Sequence, residues 1–264
     1  MFFKIFLSCL LIIIISLIIV IFLTMKEQYH NKENIDIFCI NLKENEDRKE
    51  HIKKYFKGTK FINAINTKGE KWKNYKNHLT ENAIIQLEES KKTKTRKEHY
   101  ELMPGAVGCF LSHLKTYKHI LENPNLNSNI FLILEDDAIP KLGFSKKIRK
   151  KLNNLPKDLD ILLLGCQVFD NDTKKIKVNE EEYLKLNGEK VYIFQSHCYL
   201  ISLKGIHKFL KEMEKQNNKF YQQHDLFLSD LARKDKLNIY YLKKSIAVQS
   251  HSRFPTDIQI YPKK

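Results

Sequence analysis

Three acidic residues stand side by side in the stretch FLILEDDAIP, residues 131–140. Glu135, Asp136 and Asp137 directly follow four apolar residues that are typical of a buried strand. No lysine or arginine within the stretch offsets their repulsion. Carboxylate oxygens suit Mg²⁺ or Mn²⁺, which also bind phosphate oxygens. The cluster therefore indicates a divalent metal beside a diphosphate, and the alternative is a solvated acidic loop or a helix cap.

Strands and helices alternate around this cluster. Strands are predicted over residues 35–42, 60–66, 129–137, 158–169 and 238–250, helices over 45–56, 80–90, 105–123, 145–155 and 222–234, a strand followed by a helix over 197–213, and excursions over 67–103 and 170–196. The alternation predicts an α/β fold with a mostly parallel central sheet. Ligands bind at the carboxyl ends of strands in such sheets, which is where the three acids fall.

The first part of the chain is strongly apolar. Residues 5–23 contain no charged residue and no proline, and about 20 such residues are enough to cross a membrane as a helix. A cleaved signal peptide is the alternative, but the run is longer than a usual h-region and lacks a small-residue cleavage site. We predict one transmembrane helix within a membrane anchor over residues 1–26, one domain over 27–264, and a single-pass protein of type II orientation.

The chain is basic, with a formal net charge of +15. Such a charge could attract polyanions, or it could accompany a composition rich in lysine, asparagine and isoleucine. The lysines are spread along the chain among acids, which favours the second interpretation, so no nucleic-acid partner is expected. Outside the anchor the cysteines stand singly with no C-x-x-C pair, which predicts buried free thiols rather than a zinc site; one disulfide is the alternative.

Four blocks of the sequence resemble glycosyltransferase family 25, and they occur in the order of that family. IFCINLKENEDRKEHI is similar to its opening strand with Asn-Leu and Asp-Arg, and PGAVGCFLSHLKTYKHI to its Gly-Cys-x-x-Ser-His helix. FLILEDDAIP is similar to the acidic metal motif and SHCYLISLKGIHKFL to the fourth block. Together the blocks cover residues 35 to about 250.

This resemblance implies a GT-A-type fold and an inverting transfer of a sugar from a nucleotide-diphosphate donor. UDP-galactose is the donor it implies first, with Mn²⁺ or Mg²⁺ as cofactor. A glycan, a lipid-linked saccharide as in lipopolysaccharide biosynthesis, or a protein would be the acceptor. The alternatives from other classes are a metal-dependent nuclease or phosphatase, and a module that binds a nucleotide sugar without turnover.

The resemblance also implies roles for individual residues. It places Asn41 and Arg48 near the nucleotide, Ser112 and His113 in the donor pocket, Glu135 at the donor sugar or ribose, Asp136 at the metal and the diphosphate, and Asp137 as the direct metal ligand.

Further candidates lie late in the chain. Asp225 is the candidate base that takes the proton of the acceptor hydroxyl, and the alternative is a carboxylate placed for the helix dipole. His251 is a candidate third metal ligand. His224 is a weaker candidate base, and His197 and Tyr199 are candidate sugar contacts.

The chain departs from the family pattern at three places. Lys43 follows Asn-Leu where an acid is usual, and Ala106 replaces a glutamate. The family often has Pro-x-Asp before the last helix, where this chain has Gln223, His224 and Asp225. A sequon at Asn171 would carry a glycan only in a glycosylating lumen.

Overall fold

The computed structural model describes residues 10–16, 35–93, 101–126, 128–170, 174–249 and 254. The elements from residue 35 onward are β1 (Asp36–Asn41), α1 (Glu46–Tyr55), β2 (Lys60–Asn63), a 3₁₀ helix (Lys71–His78), α2 (Glu81–Thr93), α3 (Pro104–Glu122), β3 (Ile130–Glu135), β4 (Ala138–Pro140), α4 (Phe144–Leu152), β5 (Ile161–Asp170), β6 (Lys174–Val178), β7 (Glu181–Lys185), β8 (Val191–Ser202), α5 (Leu203–Lys215), α6 (His224–Arg233), β9 (Ile239–Tyr241) and β10 (Ala247–Gln249).

Within these residues one eight-stranded sheet runs in the order β2-β1-β3-β8-β5-β9-β7-β6. The pairings give β2, β1, β3, β5, β9 and β6 one direction, while β8 and β7 run the opposite way. The predicted α/β fold with a mostly parallel central sheet is confirmed. The reversed strand β8 lies between β3 and β5 and connects the two parallel groups.

Both faces of the sheet are buried, because the side chains of each strand alternate between two hydrophobic cores. In β1, Phe38 and Ile40 face the core that contains α3, α5 and α6. Ile37 and Cys39 face the other core, which contains α1 and α4. An uninterrupted apolar run such as IFCI is therefore what this central strand requires.

The N-terminal apolar run is described only over residues 10–16, which are helical and exposed. Across the described ranges, no helix combines the length and the apolar character needed to cross a membrane. Most of the predicted anchor, residues 5–23, lies outside the described residues, so the anchor stays a prediction.

Three strand predictions were wrong. β2 ends at Asn63 rather than residue 66. β8 begins at Val191 rather than residue 197, because buried Val191 and Ile193 alternate with exposed Tyr192 in the apolar stretch VYIF. The single strand predicted over 238–250 is two strands, β9 and β10, separated by a turn over residues 243–244. β10 leaves the large sheet and pairs with β4.

Candidate active site

The carboxyl ends of β1 and β3 lie side by side because the two strands are parallel neighbours. Asn41, at the end of β1, donates a hydrogen bond from Nδ2 to Oδ2 of Asp136 at 3.0 Å. Arg48, from the first turns of α1, donates from Nη1 to Oδ1 of the same carboxylate at 2.9 Å. Asp136 is therefore held by two side chains and forms an ion pair with Arg48.

Asp137 has a different environment. Its Oδ2 accepts a hydrogen bond from Nε2 of Gln249 at 2.9 Å, while its buried Oδ1 has no hydrogen-bond partner. Burial, and then the charge of Glu135, raise the pKa of Asp137 to about 7. A buried carboxylate oxygen without a partner costs free energy unless a proton or a cation satisfies it. The residue therefore fits the role of a metal ligand.

Glu135 lies between the acids and helix α3. Burial, followed by the charge of Asp136, raises its pKa to about 7. Its Oε1 lies 3.6 Å from Nε2 of His113. Burial lowers the pKa of His113 to about 3, so the imidazole is neutral and this contact is not an ion pair. Because His113 is neutral, it does not offset the negative charge that Glu135 carries when it is ionised.

His113 belongs to a buried aromatic network. Its Nδ1 lies 2.8 Å from the hydroxyl of Tyr199, which is 2.7 Å from the hydroxyl of Tyr117. Tyr117 in turn lies 3.1 Å from Nε2 of His224, whose ring stacks on that of His113 at 3.8 Å. His224 and Tyr199 are thereby fixed in the interior behind the acids, so neither is placed to face a substrate.

A second set of residues could also hold a metal. Ligand atoms of Cys109, His113 and Glu135 all lie within 4.8 Å of one another. Burial raises the pKa of the Cys109 thiol well above its ordinary value, and Glu135 adds to that shift, so the thiol is protonated. A thiol and an imidazole suit softer metals, whereas Mg²⁺ and Mn²⁺ prefer oxygen. For those two metals Asp137 and Glu135 are the better donors.

An open pocket with an empty volume of about 700 Å³ lies against the three acids. Its lining comes from the end of β1, the loop 64–68, the first half of α3 and β10: Ile40, Leu42, Arg48, Ala64, Ile65, Asn66, Thr67, Lys68, Gly105, Gly108, Cys109, Ser112, Glu135, Asp136, Asp137 and Gln249. The lining combines apolar residues with the three carboxylates and two cationic residues, Arg48 and Lys68. We call it the acidic pocket.

Helix α3 holds the loop 64–68 in place. The Ser112 hydroxyl donates to the Gly108 carbonyl at 2.6 Å and accepts from the Ile65 amide at 2.8 Å. A Cβ on Gly108 would fall 2.2 Å from the Ile65 carbonyl oxygen, so only glycine allows this approach. The Thr67 hydroxyl donates to the Pro104 carbonyl at 2.5 Å. The Gly-Cys-x-x-Ser-His block therefore positions one wall of the pocket.

The structure brings most of the predicted site residues together. Arg48, Ser112, Glu135, Asp136 and Asp137 line the acidic pocket, Asn41 contacts Asp136 from behind, and His113 is buried next to Glu135. His251 lies outside the described residues. His197 is buried against Gly165, where an added Cβ would come within 2.3 Å of its Nε2.

Sequence reasoning missed the loop 64–68 and Gln249. The loop follows β2, the parallel neighbour of β1, so the rule that ligands bind beyond carboxyl ends would have indicated it. Gln249 has no comparable signal, because only the pairing of β10 with β4 brings it to Asp137.

Asp225 lies apart from the acidic pocket, in the first turn of α6. Its Oδ1 accepts a hydrogen bond from the Leu226 amide at 2.9 Å. Burial raises its pKa to about 7, and the charge of Glu135 contributes in the same direction. Asp225 lines a second pocket, beside Phe169, Phe194 and Leu226. A carboxyl with this pKa can take up a proton near neutral pH.

The fold and the site together define an α/β protein that carries a carboxylate cluster and a ligand-sized pocket at the carboxyl edge of its sheet. A family model described as "Glycosyltransferase family 25 (LPS biosynthesis protein)" matches residues 34–228. The chain belongs to this family, and the resemblance drawn from its sequence blocks is confirmed.

Curated proteins of known name are similar to the chain over most of its length. Procollagen galactosyltransferase 1-B of Xenopus laevis is 30% identical over 201 residues, which cover 72% of this chain and 30% of that protein. Procollagen galactosyltransferase 2 of Homo sapiens is 26% identical, covering 69% of this chain and 28% of that protein. A putative glycosyltransferase of Haemophilus influenzae is 28% identical, covering 62% of this chain and 55% of that protein.

The chain thus spans about 30% of the length of the procollagen galactosyltransferases that it matches. Among solved structures, 4-diphosphocytidyl-2C-methyl-D-erythritolsynthase from Anaerococcus prevotii aligns with a TM-score of 0.36 and 13% identity, over 80% of this chain and 71% of that chain. A score that low does not establish a shared fold.

Proposed function

We propose that this chain is a glycosyltransferase that moves a hexose from a nucleotide-diphosphate donor to an acceptor hydroxyl, with inversion at the anomeric carbon. UDP-galactose is the donor we propose, since the named relatives are galactosyltransferases. The observation that carries the proposal is the acidic pocket, whose lining includes the three acids, among them Asp137 with a buried carboxylate oxygen that has no hydrogen-bond partner.

The lining of the acidic pocket contains groups that suit both ends of such a donor. Ile40, Leu42, Ala64 and Ile65 offer apolar surface to a base, and Lys68 adds a positive charge. A diphosphate with its cation would balance the charge of the three carboxylates. A GT-A-type fold belongs to the same proposal.

Asp137 and Glu135 would hold Mn²⁺ or Mg²⁺, with Asp136 kept in position by Asn41 and Arg48. When bound, the metal would neutralise charge on the diphosphate leaving group. His251 remains our candidate for a further ligand. These donors are oxygen-rich, as the two hard cations require.

Asp225 would act as the base. The acceptor oxygen attacks the anomeric carbon, the bond between that carbon and the diphosphate oxygen breaks, and the hydroxyl proton passes to the Asp225 carboxylate. The position of Asp225 in the first turn of α6, on the lining of an open pocket, supports this role. The raised pKa of Asp225 keeps it basic enough to accept a proton.

Incubation of the full chain with a panel of nucleotide sugars tests the proposal. UDP or GDP release is followed with Mn²⁺ and then with chelator, with Asp137→Ala beside the wild type. We expect metal-dependent release from one donor that the variant loses. Tight binding of a nucleotide sugar without release would instead identify a binding module. If the chain neither binds a nucleotide sugar nor releases a nucleotide, the proposal is overturned.

We also propose that residues 5–23 anchor the chain in a membrane. The transferase domain would lie on the opposite side of the membrane from the short N-terminal segment. The uncharged length of this run supports the proposal. Partition of the full chain into membranes after alkaline carbonate washing tests it, and full release from the pellet would overturn it.

A further inference from the structure

Three aromatic side chains cluster on the strands β5 and β8. Phe169 and Tyr192 are cross-strand partners and are 55% and 42% exposed. The ring of Phe194 lies 5.5 Å from that of Phe169 and 6.1 Å from that of Tyr192. We call these residues the aromatic platform. None of the three has a role in the proposed catalysis. A contiguous exposed apolar patch on a protein surface often marks an interaction site.

The platform extends beyond the three acids. The pairing of β3 with β8 runs as far as Leu134 and Cys198, whereas β5 and β8 remain paired from there to Asp170 and Val191. The register shifts between Gln167 and Val168, so Phe194 is an extra residue on β8. A bulge of this kind re-aims a side chain and is common beside active sites.

Helix α6 holds the platform rigidly next to Asp225. The Ile193 amide donates to the Ser229 hydroxyl at 2.8 Å, and Arg233 donates from Nη1 to the Val191 carbonyl at 3.2 Å. The Arg233 guanidinium also lies 5.3 Å from the centre of the Tyr192 ring. The helix that begins with His224 and Asp225 therefore fixes both the candidate base and the platform.

A pocket of about 840 Å³ lies between the platform and α6. Its lining consists of Phe169, Phe194, Leu226, Asp225 and three glutamines: Gln167, Gln195 and Gln223, the last of which donates from Nε2 to the Glu101 carbonyl at 3.4 Å. No lysine or arginine is among these lining residues of the described chain, in contrast to Arg48 and Lys68 in the acidic pocket. The chemistry therefore disfavours a phosphate and suits a neutral ligand with many hydroxyl groups.

We propose that this pocket binds the acceptor as a neutral sugar residue, whose apolar C–H face lies on Phe169 and Phe194 while its hydroxyl groups meet the glutamine amides. Aromatic rings supply a rigid apolar surface, and amides both donate and accept hydrogen bonds, which is what a pyranose presents. The assignment rests on the proposed function, since it makes Asp225 the carboxylate nearest the attacking hydroxyl. It narrows the acceptor class to a glycan.

Saturation-transfer NMR on the full chain tests the assignment without turnover. The probes are methyl glycosides of galactose, glucose and N-acetylglucosamine, and a hydroxylysine peptide. The proteins are wild type, Phe169→Ala, Phe169→Trp and Ile85→Ala, the last removing a side chain of equal exposure, 55%, on helix α2, which does not line the pocket. UDP binding is measured on each protein as a check of folding.

We expect at least one glycoside to bind the wild type, to weaken about tenfold in Phe169→Ala, and to keep its affinity in the Trp and Ile85 variants. UDP binding should be equal in all four. Equal glycoside binding by Phe169→Ala would overturn the assignment, as would Phe169-dependent binding of the peptide alone or the absence of glycoside binding. Glycoside binding at Phe169 without UDP binding would instead overturn the proposed function and retain the sugar site.

Discussion

At the scale of single residues, the four carboxylates of the two pockets differ by their partners. Asp136 accepts hydrogen bonds from Asn41 and from Arg48, with which it forms an ion pair. The pKa values of Glu135, Asp137 and Asp225 are each raised to about 7, with burial as the first cause. The site thus combines one acid paired with an arginine and three acids that exchange protons near neutral pH.

Replacement of Asp225 by Asn should abolish transfer while leaving the donor bound. The amide cannot take the acceptor proton, and the loss of a general base lowers kcat by about 10²–10⁴-fold. Because the wild-type carboxyl has a pKa near 7, wild-type kcat should fall as the pH drops below 7. Steady-state rates from pH 5.5 to 8.5 measure both effects. Asp235→Asn, just past α6, is the control and should behave as wild type; a fully active Asp225→Asn would exclude the base role.

Asp137→Asn should remove metal binding. Its unpartnered Oδ1 is the atom we expect to hold Mn²⁺, and an amide oxygen carries no charge to replace it. Titration calorimetry with Mn²⁺ alone measures the affinity, which should fall by at least about tenfold. Asp47→Asn, an exposed acid on α1, should leave it unchanged. If the Mn²⁺ affinity of Asp137→Asn is unaltered, Asp137 is not the metal ligand, and Cys109, His113 and Glu135 become the candidate ligands.

The sequence indicated the acids because like charges at a strand end are unusual without a ligand. It did not distinguish their individual states. Those depend on partners distant in the chain: Arg48 for Asp136 and Gln249 for Asp137. His113 was predicted in the donor pocket, yet its ring is fully buried beside Glu135, and its stacking on His224 joins helices that local patterns cannot relate.

At the scale of elements, helix α3 does more than cover the sheet. Its Gly108 and Ser112 contact the loop 64–68, and the loop lines the acidic pocket. The helix and the strands β1 and β3 could be predicted from periodicity, since their apolar patterns are long. The loop and the aromatic end of β8 could not, because their conformations depend on packing against α3 and α6.

Gly108→Ala should displace the loop. The added Cβ would lie 2.2 Å from the Ile65 carbonyl and 2.6 Å from the Thr67 hydroxyl oxygen. Overpacking of this kind costs about 1–3 kcal/mol in the free energy of unfolding. We expect a lower melting temperature and a raised KM for the donor. Lys118→Ala, on the exposed side of the same helix, should change neither; a Gly108→Ala protein with wild-type KM would show that the loop does not contact the donor.

At the scale of the whole molecule, stability should depend on pH through the three carboxyls with raised pKa values. A folded-state pKa above the unfolded value favours the protonated form, so this contribution is fully present below about pH 4 and is lost as the pH rises through 7. In chelator, the melting temperature should be lower at pH 8 than at pH 5.5, by about 2–4 °C for each kcal/mol lost.

Addition of Mn²⁺ should reverse this loss at pH 8 and have little effect at pH 5.5, where protons compete for the same oxygens. Thermal unfolding followed by circular dichroism, with and without metal, gives all four values. The double variant Glu135→Gln, Asp137→Asn should reduce the pH dependence and remove the response to Mn²⁺. An equal rise with metal at both pH values would contradict this account.

The pairing of β10 with β4 bears on the order in which the molecule is made. Asp137 leaves the ribosome more than a hundred residues before Gln249, which donates a hydrogen bond to it. The family match ends at residue 228, before β9 and β10 begin. While a nascent chain extends only as far as α6, its acids therefore lack this partner, and the acidic pocket gains the Gln249 side of its lining only after β10 has been synthesised.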